Sequence, residues 1–255
     1  WFIVNDGQAQ IWEPHVLMAH LMLHTRTIGL GVPIATNYNE PYHVARILAT
    51  IDHFSNGRAA WQVVIRAAYD RDAQYVKSAS GAEEAERARE LYDVVRKLWD
   101  SWEDGAVVND KVAGRFLDTD KIRHIHHQGK YFGVRGPSPV PRPPQGHPVS
   151  CAIVESDEAR ETEALAEVVF LTGATGEELE RQYRSVQQRR GRGFRPKIFV
   201  PGALAEQELS VPVDGVYLEA DELGSFERRQ DRPAGTLRER LSLDRPAVKF
   251  AGALS

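Results

Sequence analysis

The sequence predicts an α/β fold around a parallel sheet, because short apolar runs alternate with longer helical patterns. Turn residues bound the apolar runs, as expected of buried strands. The predicted strands number seven, one fewer than a closed eight-stranded barrel needs: Trp1–Val4, Thr27–Val32, Ala59–Ile65, Pro148–Val154, Val168–Leu171, Lys197–Leu204 and Val213–Glu219.

Helical patterns fill the intervals between these strands. Pro14 opens the first helix, since proline is favoured in a first turn, and its apolar face is predicted to comprise Val16, Leu17, His20, Leu21 and Leu23. Ser55-Asn56-Gly57 is the stop signal of the helix over Pro41–Phe54. Further helices are predicted over Glu83–Trp102, Asp157–Ala166 and Gly176–Arg190.

Two stretches depart from the alternation. Residues 103–147 are rich in glycine, proline and charge, and they are too long for a plain loop, so we expect an ordered excursion from the sheet. The connection between the last two predicted strands is as short as a parallel crossover allows. A segment has therefore either been deleted there or is absent from this sequence.

The bulk composition favours one globular domain over residues 1–255, with 42% hydrophobic and 27% charged residues. The formal net charge of −4 gives no reason to expect a nucleic-acid partner. No apolar run approaches the roughly 20 residues of a membrane helix, and no signal peptide is visible. The single cysteine, Cys151, excludes an internal disulfide framework and fits a reducing cytoplasm.

A series of short motifs then points to one family. In chain order they are residues 25–31 (TRTIGLG), 38–46 (YNEPYHVAR), 48–59 (LATIDHFSNGRA), 61–64 (WQVV), 98–104 (LWDSWED), 127–132 (HQGKYF), 134–137 (VRGP), 144–146 (PQG) and 235–241 (GTLRERL). This order resembles the luciferase-like flavin monooxygenase superfamily. The similar branch contains nitrilotriacetate monooxygenase, dibenzothiophene-sulfone monooxygenase and a pristinamycin synthase subunit.

The resemblance implies a (β/α)8 TIM barrel of the bacterial luciferase type, with FMN at the C-terminal mouth. It also implies reduced FMN from a separate flavin reductase, attack on O2, a small organic substrate, and a homodimer or a heterodimer with a homologue. Asp6 matches a strand-end aspartate near the flavin, and Thr36 matches a hydroxyl residue after the next strand. Set beside the family, the sequence lacks the first strand and a segment before the last strand.

Several positions differ from the family pattern. Where the family has Asn-Val-Val-Thr-Ser, this chain has Gln62-Val63-Val64-Ile65-Arg66, and residues 81–85 lack the His and Tyr of a His-x-Glu-Arg-Tyr motif. The family's phosphate-binding loop becomes residues 151–158 (CAIVESDE). Ser156 remains to cap a helix, but the acidic residues beside it in this loop would repel a phosphate dianion. Two like charges about 4 Å apart repel by roughly 4 kcal/mol at an effective dielectric near 20. We therefore hypothesise that FMN binding is lost or much weakened.

Three functions follow from these observations. The first is a flavin monooxygenase, in which the resemblance assigns the cofactor contacts to Asp6, Thr36, Gln62 and Ser156. The second is a flavin-free enzyme that uses the barrel mouth, with Asp6, Arg66, Cys151 or Glu155 as candidate catalytic residues. The third is a non-catalytic subunit that supports an active homologue.

Two side-chain groups leave narrower alternatives. Arg66 is expected to bind an anionic substrate or to pair with Glu155 or Asp157. His20 and His24 lie four residues apart, which is a metal-ligand spacing. Because no third ligand is evident in the sequence, we predict no metal site.

Overall fold

The computed structural model describes residues 13–36, 38–65, 81–154, 163, 165–190, 195–204, 209, 211–217 and 234–249. The strands are β1 Leu30–Ala35, β2 Ala59–Val64, β3 Val107–Asp110, β4 Arg115–Leu117, β5 His127–Gln128, β6 Gly133–Val134, β7 Val149–Val154, β8 Val168–Leu171, β9 Lys197–Pro201 and β10 Gly215–Tyr217. The helices are α1 Pro14–His24, α2 Pro41–Phe54, α3 Gly81–Asp100, α4 Gly176–Arg190 and α5 Leu237–Arg240.

Six strands form one sheet in the spatial order β1-β2-β7-β8-β9-β10, and every neighbouring pair is parallel. Spatial order follows chain order, as in a barrel whose strands are joined by helices. The predicted parallel α/β fold is therefore confirmed. The described strands form an arc of the barrel and do not close into a ring.

Most predicted elements are present, with shifted ends. The first described strand begins at Leu30 and not at Thr27, because the guanidinium of Arg58 binds the carbonyl oxygens of Thr25 and Ile28 at 3.1 and 2.8 Å. These carbonyls are thus satisfied outside the sheet. The predicted strand Trp1–Val4 and most of the predicted helix Asp157–Ala166 lie outside the described residues.

The predicted apolar face of α1 is wrong. Val16, Leu17, Leu21 and Leu23 are 42–76% exposed, whereas the buried residue of this helix is Met18. The helix is apolar on every side, so its periodicity could not show which side faces the core.

Two apolar clusters lie between the sheet and its helices. The larger cluster joins β1 and β2 to α2 and α3 around Trp61, Leu48 and Trp99, which are at most 1% exposed. The indole of Trp61 stacks on Tyr92 and meets Trp99 edge-on. A second cluster joins β7, β8 and β9 to α4. Burial of these faces leaves the opposite face of the sheet to line the barrel interior.

The excursion over residues 103–147 is ordered, as predicted, and holds two small antiparallel pairs, β3 with β4 and β5 with β6. Glu90 of α3 anchors it, because its carboxylate accepts the backbone N–H groups of Tyr131 and Phe132 at 3.0 and 2.9 Å. His127 contacts the same carboxylate at 3.1 Å. Among the residues that the structure describes, no helix is long and apolar enough to cross a membrane.

Candidate functional site

Side chains that point away from the helices form the inner face of the sheet. Successive residues of a strand alternate between its two faces. Because Trp61, Val63, Ala152 and Val154 pack toward the helices, their neighbours belong to the other side. We define the inner face as Gln62, Cys151, Ile153, Phe170, Phe199 and Tyr217.

Four of these residues make an apolar and largely aromatic wall across β7 to β10. The ring of Phe170 lies 5.4 Å from that of Phe199 and 5.8 Å from that of Tyr217. Ile153 is the register neighbour of Phe170 and is 39% exposed. Gly215 leaves room for this wall, since a Cβ there would stand 2.5 Å from the Phe199 ring.

Gln62 is the polar member of the inner face. It is the fourth residue of β2, and its register neighbours are Pro33 on β1 and Cys151 on β7. The Gln62 side chain is half-buried and makes no hydrogen bond to another residue that the structure describes. Its amide therefore offers one donor group and one acceptor group beside the aromatic wall.

Cys151 was predicted as a candidate catalytic residue of the barrel mouth, but the structure places it inside a strand and not at its end. It is the third residue of β7, and its thiol donates to the carbonyl oxygen of Trp61 at 3.3 Å. Desolvation raises the pKa of the thiol to about 12. Because the thiolate is the nucleophilic form, this environment suits a neutral lining residue and disfavours a nucleophile at neutral pH.

Thr36 lies directly after β1 and is 1% exposed. Its backbone N–H donates to Val64 at 2.9 Å, and its hydroxyl donates to the carbonyl oxygen of Ile65 at 3.2 Å. Arg87 of α3 donates to the Thr36 carbonyl. The hydroxyl proton is thus engaged in joining two strand ends, so any cofactor contact would use the oxygen as acceptor.

The N-terminal end of the barrel has a floor that sequence reasoning missed. Leu237, Leu241 and Leu243 pack with the lower inner residues of the sheet. The backbone N–H of Arg238 donates to Gln145 at 2.9 Å, and the Gln145 amide donates to Asp52 at 2.6 Å.

Burial raises the pKa of the Asp52 carboxyl. The sequence contained both motifs that form this floor, at 144–146 and 235–241. They are so far apart in the chain that their contact with each other could not be predicted.

The remaining predicted site residues, Asp6, Arg66 and Ser156, lie outside the described residues, as do Glu155 and Asp157. The structure therefore brings together Gln62 and Cys151, on neighbouring strands, and places Thr36 at the strand ends above them. No cluster of three potential metal ligands occurs in the described ranges.

Comparison with known proteins identifies the family. A sequence model described as luciferase-like monooxygenase matches residues 1–210. The chain belongs to this family. The fold is accordingly a luciferase-type TIM barrel. The described strands β1, β2 and β7–β10 form part of the wall of this barrel.

Two curated relatives and one solved structure define the similarity. The chain is 38% identical over 253 residues to nitrilotriacetate monooxygenase component A of Aminobacter aminovorans, in an alignment that covers 91% of this chain and 56% of that protein. It is 35% identical to one of the subunits of pristinamycin IIA synthase from Streptomyces pristinaespiralis, covering 94% and 80%. A riboflavin lyase solved with modified FMN and riboflavin shares 29% identity and a TM-score of 0.68, covering 75% and 44%.

These matches confirm the resemblance to luciferase-like monooxygenases that the sequence motifs predicted. The chain spans about half the length of the nitrilotriacetate relative and of the riboflavin lyase. The inner face described above therefore lines the barrel of a luciferase-like monooxygenase family member.

Proposed function

We propose that the protein is the oxygenase component of a two-component monooxygenase, which uses reduced FMN and O2 to oxidise a small organic molecule. A separate flavin reductase would deliver the reduced cofactor. One observation carries this proposal. Inside a luciferase-type barrel, an aromatic wall lies beside the Gln62 amide, which makes no hydrogen bond to another described residue. Such a surface suits a ligand with a planar ring and one polar edge.

The inner face fits the ring system of a flavin. Phe170, Phe199 and Ile153 offer apolar contact to the flat part of the ring, since aromatic groups pack well by offset or edge-to-face contact. The Gln62 amide can both donate to and accept from the polar edge. Reduced FMN, when bound, supplies the electrons that activate O2.

The floor keeps the lower end of the site dry. Leu237, Leu241 and Leu243 cover the inner residues from below, so in the described part of the barrel they would shield a bound ring from water on that side. Exclusion of water protects reactive species from hydrolysis and strengthens the hydrogen bonds made to the ligand. The neutral thiol of Cys151 adds no charge to this environment.

We extend the proposal to the mouth of the barrel. Asp6 and Thr36 would contact the cofactor, Ser156 would hydrogen-bond its phosphate, and Arg66 would contact an anionic group of the substrate. The acidic residues around Ser156 oppose a phosphate dianion. We therefore expect FMN to bind weakly and to pass readily between this protein and the reductase, because the two proteins share the cofactor.

The test is anaerobic titration of the purified protein with reduced FMN, followed by O2 uptake with candidate substrates. We expect saturable binding with a dissociation constant in the micromolar range or weaker. Gln62→Ala should weaken binding by about tenfold, because one hydrogen bond contributes about 1 kcal/mol or slightly more. Gln128→Ala, on the remote strand β5, is the matched control. Absence of both flavin binding and flavin-dependent O2 uptake would reject the proposal.

A second candidate is a non-catalytic subunit that supports an active homologue. The observation that favours it is the match to a synthase subunit along 94% of this chain and 80% of that subunit, together with the acidic phosphate loop. Co-expression with a homologue that retains the family's phosphate loop distinguishes the two candidates. Flavin binding by the mixed complex, and none by this chain alone, would favour the supporting role.

A further inference from the structure

His147 joins helix α3 to the barrel floor. It ends the excursion, shortly before β7 begins at Val149, and is 4% exposed. Its backbone carbonyl oxygen accepts hydrogen bonds from Nε and Nη2 of Arg238 in the floor, at 3.2 and 2.9 Å. Its imidazole ring lies against α3, with its centre 5.5 Å from the ring of Trp99. The ring thus contacts the helix, and the backbone of the same residue contacts the floor.

Both ring nitrogens of His147 are engaged by charged residues of α3. Nε2 lies 2.9 Å from Oδ1 of Asp100, and because a carboxylate only accepts hydrogen bonds, Nε2 carries the proton. Nε of Arg96 donates to Nδ1 at 3.3 Å. A guanidinium has no acceptor, so Nδ1 must offer its lone pair. The two contacts are made together only by a neutral imidazole with its single proton on Nε2.

A second proton on this ring has no acceptor among these contacts. It would occupy Nδ1 and point at the N–H group of Arg96. Arg142, in the excursion, adds a second cation, and it already shares the Asp100 carboxylate at 3.1 Å. Burial lowers the pKa of His147 below its ordinary value of 6.5, and the charges of Arg96 and Arg142 act in the same direction, whereas Asp100 opposes them.

The charged groups on the floor side do not compensate the added proton. Glu167, directly before β8, lines the same small cavity as His147 and Arg96, but both of its carboxylate oxygens are held by Arg238. The volume of the cavity is about 10 Å³, which is room for about one water molecule and not for a guanidinium group. The cavity therefore gives Arg96 no space to withdraw from the ring on this side.

We propose that His147 is a pH-sensitive latch between α3 and the barrel floor, closed while its imidazole is neutral and opened when the ring takes up a second proton. Protonation replaces the hydrogen bond from Arg96 with two N–H groups that face each other, so the contact between ring and helix is lost. Because the backbone of His147 holds Arg238, displacement of the ring also loosens the floor. The latch is independent of the proposed function, since none of these residues belongs to the inner face.

A buried histidine with a lowered pKa makes the folded protein less stable in acid. The unfolded chain, in which the pKa of histidine is about 6.5, takes up the proton more readily than the folded protein does. The stabilisation is therefore present above about pH 6.5 and is lost as the pH falls below that value. From this one group, the equilibrium constant for unfolding should rise by up to about tenfold per pH unit.

Urea unfolding of the wild type and of His147→Gln, from about pH 8 to about pH 5.5, tests the latch. A glutamine side chain offers an N–H group to Asp100 and an oxygen to Arg96, but it takes up no proton. The unfolding constant of the wild type, divided by that of the variant, should rise several-fold per pH unit below about pH 6.5. His43→Gln is the matched control, because His43 is exposed on α2, and it should follow the wild type.

NMR titration of the histidine rings measures the pKa of His147 in the folded wild type and requires no variant at this position. The His147 ring can be identified by its proximity to Trp99. Its pKa should lie below the ordinary value, and Arg96→Met should raise it, because the opposing cation is removed.

Hydrogen exchange followed by mass spectrometry tests whether the floor responds. After correction for the intrinsic pH dependence of exchange, residues 144–149 and 236–243 should lose protection in acid in the wild type and keep it in His147→Gln. A His147 pKa at or above the ordinary value would overturn the proposal. So would an unfolding ratio that stays constant with pH, or floor protection that is unchanged in the acidified wild type.

Discussion

Arg238 and Glu167 form a two-pronged ion pair that joins the last described helix to the start of β8. Nη1 and Nη2 of Arg238 lie 2.7 and 2.8 Å from the two carboxylate oxygens of Glu167. The Arg238 side chain is 2% exposed and that of Glu167 is 21% exposed. The guanidinium also donates to the carbonyl oxygens of His147 and Asp244. This single side chain thus holds together three segments of the barrel floor.

Arg238→Met is expected to lower the free energy of unfolding by about 3–5 kcal/mol, because it leaves Glu167 largely buried without its partner. Urea unfolding measures the change. Arg184→Met is the control, since the pair of Arg184 with Glu180 is solvent-exposed and should contribute no more than about 1 kcal/mol. Equal losses in the two variants would contradict the role assigned to the floor.

The same pair predicts a pH dependence of stability. Burial acts to raise the pKa of Glu167, but the hydrogen bond and charge of Arg238 outweigh it, so the pKa is lowered. A carboxyl with a lowered folded-state pKa stabilises the fold above its unfolded pKa of about 4.3, and this stabilisation is lost as the pH falls. The stability difference between wild type and Glu167→Gln should therefore narrow between about pH 5 and pH 3. A difference that stays constant over this range would contradict the prediction.

Cys151 should resist thiol reagents in the folded protein. A thiol with a pKa of about 12 has a thiolate fraction about a thousandfold lower than that of a free cysteine near pKa 8.5. Iodoacetamide labelling at about pH 8, followed by mass spectrometry, should be slow in buffer and fast in urea. Rapid labelling of the folded protein would restore Cys151 as a candidate nucleophile.

Gly215→Ala should disturb the aromatic wall. The new Cβ would stand 2.5 Å from the Phe199 ring, so the ring must shift against Phe170. Overpacking of this kind costs about 1–3 kcal/mol. Gly133→Ala is the matched control, because its nearest neighbour would be an amide oxygen of Gln128 at 3.6 Å. If Gly215→Ala proves as stable as the control, the wall is not tightly packed.

Much of the fold could be predicted because its signals are local. Pro14 and Pro41 each begin a helix where a proline in the first turn predicts one, and the β2 and β7 strands follow apolar runs. The family motifs predicted the luciferase-like barrel and the site residues on it. Of those residues, Gln62, Thr36 and Cys151 can be located in the structure, whereas Asp6, Arg66 and Ser156 lie outside the described residues, and the roles of all six stay predictions.

The exact strand depth of Cys151 could not be predicted from its neighbours in sequence. A buried strand is apolar throughout its length, so its pattern does not show which residue reaches the mouth. The side of α1 that faces the core was unpredictable for the same reason, since Met18 is no more apolar than the exposed Leu17 or Leu23.

By itself, the sequence determined the order of strands and helices, the parallel sheet and the family, because these depend on local patterns and on motifs that are contiguous in the chain. Only the tertiary structure decided that Glu167 meets Arg238 from 71 residues away, that Gln62 lies beside Cys151, and that Gly215 leaves space for Phe199. Each of these contacts depends on the register and curvature of the assembled sheet, which arise from packing among segments that are distant in sequence.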